Sequence, residues 1–161
     1  MVYSKAGIEG VVDVGLIVLS HCENPAKGEA LDFLEKVLLG EQYCIIPLTA
    51  FIGAYHILTR YLRVNRDEAK QELLKTLSFD LEIFYHDVTR DEVIESLVLA
   101  SEFSVEGWDG YLINVARRFE TNNIYTIDRR LVKVPSVTVI IPISEKVLRA
   151  YHNWVKERVT S

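Results

Sequence analysis

The chain has 161 residues, 49% of them hydrophobic, and a net charge of -5. Such a length suits one domain over residues 1–161 with a substantial core, and the apolar content excludes whole-chain disorder. No basic block marks a dedicated nucleic-acid patch, which leaves room for an enzyme that meets RNA briefly through a metal ion.

Gly10 to Val14 (GVVDV) reads as a short central strand interrupted by one acid, Asp13. A buried, uncompensated carboxylate costs several kcal/mol (order of magnitude), so Asp13 asks for a reason. Gly15 permits a tight turn into the helical piece LIVLSHC. Pro25 suits the start of a second helix, whose apolar face is Ala30, Leu31, Phe33, Leu34, Val37 and Leu38, and Gly40 closes it. Tyr43 to Leu48 is a second buried strand. Thr49 is the expected cap of the helix AFIGAYHILTRYL. Asn65 and Thr89 open capping-box patterns ahead of two more helices, with Leu81 to Tyr85 as a strand between them.

Asp109 stands at the start of a helix whose face is Tyr111, Leu112, Val115, Ala116 and Phe119. Thr121 to Asn123 suits a turn, Ile124 to Ile127 a strand, and Asp128 falls just beyond it. Val137 to Ile143 reads as a fifth strand, placed at an edge by Pro142, and Ser144 is the expected cap of the last helix. Strands that are continuous apolar runs, alternating with helices, predict a three-layer α/β/α sandwich around a mostly parallel five-stranded sheet. Cys22 and Cys44 lack metal-ligand spacing and read as buried free thiols. No signal-like segment and no bilayer-spanning run is apparent, so a cytoplasmic location is expected.

Ligand sites in such sheets lie outside the carboxyl ends of the strands, where Asp13 and Asp128 would meet if their strands are neighbours. The helix bearing Asp109 can lean over the same point. Two carboxylates about 5 Å apart repel by roughly 3 kcal/mol at an effective dielectric near 20. A shared proton or cation would relieve a cluster of three, and oxygen ligands select Mg²⁺ or Mn²⁺. The bland readings are a helix-start acid for Asp109 and a turn residue paired with Arg129 or Arg130 for Asp128.

The segments VVDVGLIV, EGWDGYLINVARRF and IYTIDRRL, in this order, resemble the PIN domain and within it the VapC-like toxins and their archaeal relatives. The resemblance implies a metal-dependent endoribonuclease acting on single-stranded RNA, often the toxin partner of an antitoxin protein, and often a homodimer. It implies that Asp13, Asp109 and Asp128 hold the metal, with Thr126 supporting them. The family's helix Glu falls at Gly53. His56, one turn later, is the candidate substitute, and Glu106 is another. The departure also allows a PIN-fold module that binds RNA or protein and has lost catalysis. Trp108, Tyr111 and Tyr125 surround the expected cleft, as bases' stacking partners or as core. Arg129 and Arg130 are better placed to hold RNA than Arg60, Arg63 and Arg66. Tyr55, Tyr61 and Leu62 offer a dimer or antitoxin face. A flavodoxin-like phosphoryl-transfer domain is a further reading, but VTVIIPIS lacks the expected late-strand Lys.

Overall fold

A computed structural model describes residues 7–160. The expectation of one domain over residues 1–161 includes residues 1–6 and 161, which lie outside the described ones. The strands are β1 (Gly10–Val12), β2 (Cys44–Pro47), β3 (Phe84–Tyr85), β4 (Asn123–Tyr125) and β5 (Thr138–Ile140). The helices are α1 (Val14–Ser20), α2 (Lys27–Leu38), α3 (Thr49–His56), α4 (Arg66–Leu77), α5 (Arg90–Phe103), α6 (Gly107–Arg118) and α7 (Glu145–Thr160). The strands form one all-parallel sheet in the order β3-β2-β1-β4-β5.

Both faces of the sheet are apolar, as parallel sheets require. Val12, Cys44, Ile46 and Tyr125 pack with α1, α2, α3, α4 and α7. The alternate residues Val11, Ile45 and Ile124 pack with α5 and α6. The result is the expected three-layer sandwich. Both cysteines are free and buried, and burial pushes the Cys44 thiol up to about 12.

Several local expectations need correction. β1 ends at Val12, so Asp13 does not interrupt a strand. It caps α1, its Oδ1 accepting from the Val14 N–H at 2.6 Å. Gly15 makes no turn. It lies inside α1, where an added Cβ would come within 2.9 Å of Ile127 Cγ1. Thr49 is not the cap of α3, because Leu48 already has helical dihedrals. The Thr49 hydroxyl is instead buried with no hydrogen-bond partner among the described residues. The expected helix through Leu62 gives way after His56 to a π-helical turn, Ile57–Tyr61. Ser144 directs its hydroxyl to Glu29 Oε1 at 2.8 Å. The caps at Asn65 and Thr89 are as expected. β5 lies at an edge as expected but stops at Ile140, so Pro142 falls beyond the strand.

His21, at the end of α1, is buried. Its Nδ1 lies 2.6 Å from the Ile17 carbonyl and its Nε2 2.7 Å from the Thr76 hydroxyl. A carbonyl only accepts, so Nδ1 carries the proton and Nε2 accepts from Thr76. Burial pushes the imidazole below its ordinary 6.5, against the pull of the Ile17 carbonyl. The unfolded chain then binds the extra proton first. This term is neutral above the unfolded pKa and opposes folding as pH falls below it. The melting temperature should therefore drop between about pH 7 and about pH 5, with a shallower drop in His21→Gln. Equal slopes in thermal melts of the two proteins would refute the assignment.

Candidate active site

The strand order reverses direction between β1 and β4, and crevices at such switch points are where open parallel sheets bind ligands. Asp13 leaves the carboxyl end of β1, while Thr126 and Asp128 leave that of β4. Parallel pairing of Val12 with Tyr125 brings the two ends level. Asp109 enters from the first turn of α6.

Asp13 is buried and accepts three hydrogen bonds. Its Oδ1 accepts from the Val14 N–H and from Trp108 Nε1 at 3.0 Å, and its Oδ2 from the Thr126 hydroxyl at 2.7 Å. Burial pushes its pKa up. The three hydrogen bonds oppose that shift and repulsion from Asp128 adds to it. Thr126, wholly buried, also accepts from the Asp128 N–H at 3.0 Å and so links the two acids.

Asp109 is buried too, and its Oδ2 accepts from the Glu106 N–H at 3.3 Å, closing the first turn of α6. Burial raises its pKa, and repulsion from Asp13 and Asp128 raises it further, while the Glu106 N–H and the charge of Arg130 pull the other way. The charge of Asp128 thus bears on Asp13, and those of Asp13 and Asp128 on Asp109.

Asp128 is different. Its Oδ1 accepts from the Arg130 N–H at 2.9 Å and its Oδ2 from Arg130 Nε at 2.7 Å. Partial burial would raise its pKa, but these bonds outweigh it and the carboxyl is held below its usual range. Arg130 also reaches Glu106 Oε1 at 2.8 Å. Glu106 is thus occupied by an arginine and does not replace the missing acid.

Gly53 faces the start of α1, where an added Cβ would stand 3.2 Å from Val14 Cγ2, one residue from Asp13. His56 does not follow it. It is exposed at the end of α3 with its ring edge-on to Tyr61, and no contact joins it to the acids among the described residues. Tyr125 belongs to the core, stacked on Phe33 with its hydroxyl accepting from Gln42. Tyr55 and Tyr61 are exposed, but Leu62 is buried and cannot form part of a docking face. Arg60, Arg63 and Arg66 are exposed.

Two contributors were not foreseen. Trp108 serves Asp13 through its indole N–H, a role hidden behind its bulk. Glu92, expected only as a capping partner, is a buried carboxylate that receives Arg118, Asn114 and the Tyr85 hydroxyl, tying α5 to α6.

A chain in a solved structure described as a toxin-antitoxin complex from Klebsiella pneumoniae has a similar fold. The superposition has a TM-score of 0.55 at 17% identity and covers 83% of this chain and 98% of that one. The likeness is one of fold. No protein-family model matches the chain, and no curated protein is a significant match.

The donor set can be tested against the divalent ion that a PIN-like site implies. Its oxygens are the right chemistry for Mg²⁺ or Mn²⁺. Their arrangement is not. Asp13 is taken up by three donors, Asp128 by a guanidinium, and position 53 has no side chain. Among the described residues, no group of three or more His, Cys, Asp or Glu side chains is placed to hold a metal ion. As arranged, these residues do not fit a bound divalent cation.

Proposed function

We propose that the chain is a PIN-like module directed at single-stranded RNA, with phosphodiester hydrolysis strongly weakened. The observation that carries this reading is the acidic cluster at the β1/β4 switch point. It keeps Asp13, Asp109, Asp128 and Thr126 together while Arg130 neutralises one acid and Gly53 omits another. Beyond Asp128, Arg129, Arg149 and His152 line a groove of about 310 Å³ together with Leu148 and Glu145, whose carboxylate lies 3.7 Å from Arg149; Arg129 is the cation there nearest the acids in the chain. An antitoxin-like protein is the partner this reading implies. The exposed apolar residues Ile52, Tyr55, Tyr61 and Leu74 are the surface offered to it or to a second copy. No helix among the described residues is long and apolar enough to cross a membrane.

The second reading is an active Mg²⁺- or Mn²⁺-dependent endoribonuclease using Asp13, Asp109 and Asp128. The mutual repulsion of the three acids favours it, because a cation would relieve it. One assay separates the two. Labelled, unstructured RNA is incubated with the protein and Mn²⁺, and binding is followed by fluorescence anisotropy. The expected result is salt-sensitive binding with the RNA left intact. Cleavage that disappears in Asp13→Asn would establish the nuclease instead, and RNA that is neither bound nor cut would overturn both.

A further inference from the structure

We infer that the apolar pocket between the start of α3, α5 and the start of α6 is a binding site for a small, uncharged aromatic molecule that carries one hydrogen-bonding group. The pocket follows the carboxyl ends of β2 and β3, and Trp108 joins it to the acidic cluster. It requires neither RNA nor a metal ion and so stands apart from the proposed function.

The pocket holds about 240 Å³, room for one or two fused rings. Trp108 and Tyr111 form an aromatic wall, their ring centroids 5.6 Å apart and their planes 38° to each other. Val88, Val93 and Leu97 supply the aliphatic wall. Among the described residues no charged side chain lines it, so an ion would find no counter-charge. The polar groups of the aromatic wall and of the neighbouring Ser96 are spent on the protein itself. The Trp108 N–H donates to Asp13 Oδ1 at 3.0 Å, the Tyr111 hydroxyl to the Asp87 carbonyl at 3.1 Å, and the Ser96 hydroxyl to the Glu92 carbonyl at 2.6 Å. What is left to an occupant is ring surface and aliphatic carbon, which suits a flat apolar body.

Thr49 is the exception. It lines the same pocket from the first turn of α3, and its buried hydroxyl has no hydrogen-bond partner among the described residues. An unpaired buried hydroxyl costs folding free energy, and native structures seldom keep one without cause. An occupant with a single ring N–H or hydroxyl supplies the missing partner. An occupant with several polar groups leaves most of them unpaired against carbon, so a nucleobase fits poorly.

The test titrates the isotope-labelled chain with indole, with indene (the same bicyclic frame without the N–H) and with uracil. The side-chain N–H resonances of Trp108 and Trp154 are followed by NMR. Indole should move the Trp108 resonance, leave that of Trp154 in place, and bind with a dissociation constant on the order of 1 mM or tighter. Indene should bind about fivefold more weakly and uracil about tenfold or more. Thr49→Val should melt no lower than the native chain and bind indole and indene alike. Leu97→Lys, at a position 58% exposed, should keep the native melting temperature and lose both ligands. A Trp108 resonance indifferent to indole would overturn the inference, as would uracil binding as tightly as indole or indole binding that survives in Leu97→Lys. A Thr49→Val chain that still prefers indole, or that melts well below the native one, would do the same. Indole binding that fades as protein concentration rises, with a dimer seen in sedimentation, would show that a second copy covers the pocket instead.

Discussion

Replacing Gly110 by alanine should lower stability by about 3 kcal/mol, or roughly 10 °C in melting temperature for a chain of this size. A Cβ on residue 110 would lie 2.1 Å from the Ser96 carbonyl oxygen and 3.0 Å from both the backbone nitrogen and the Cβ of Ala100. All three atoms belong to the adjacent helix α5, and none is the movable end of a long side chain. Relief requires α5 and α6 to separate, which would also pull on the buried Glu92 cluster with Arg118 and Asn114. Because α6 carries both Trp108 and Asp109, the acidic cluster would distort with the packing. A thermal melt followed by circular dichroism reads the effect, and a midpoint within about 2 °C of the native value would contradict the close crossing.

Asp13→Ala should cost a similar amount, about 3 kcal/mol, for a different reason. The substitution leaves the Val14 N–H, the Trp108 indole N–H and the Thr126 hydroxyl without the acceptor they share. It also strips α1 of its cap, worth about 1 kcal/mol within that sum. Relief of repulsion with Asp109 and Asp128 offsets part of the loss. Asp13→Asn keeps an acceptor oxygen and should cost about 1 kcal/mol. The ordering is the diagnostic point. Denaturant titrations in which the two variants are equally stable would mean that charge, and not hydrogen bonding, sets the role of this residue.

Much of the architecture was readable in the residues themselves. Runs such as CIIP and the paired capping patterns at Asn65 and Thr89 report local energetics that the fold then uses unchanged. Strand ends were less readable: β1 was expected to reach Val14 and β4 to reach Ile127. In both places one polar residue, Asp13 or Thr126, follows the strand, and the apolar residue after it, Val14 or Ile127, packs against the core from a helix and a loop. Thr49 misled for a related reason, since residue type favours a cap but Leu48 had already entered the helix.

That Asp13, Thr126 and Asp128 stand side by side was anticipated. What happens within that group was not. Asp128 is followed by two arginines, and nothing in the letters says which one folds back or that it also reaches Glu106. Spacing put His56 on the Gly53 side of a helix, but its ring turns outward beside Tyr61. The indole of Trp108 reads as bulk, and only the coordinates show its N–H spent on a carboxylate.

The strand order also bears on synthesis. β1 can pair with β2 on one side as soon as that segment has left the ribosome, yet its other side waits for β4, near the far end of the chain. Until Asn123 emerges, a row of unpaired backbone amides and carbonyls lies open in the middle of the nascent sheet, the kind of edge at which foreign strands add. Asp128 emerges later still, so an incomplete chain carries neither a closed sheet nor an assembled acidic cluster. Truncation products should accordingly aggregate rather than persist as inert fragments.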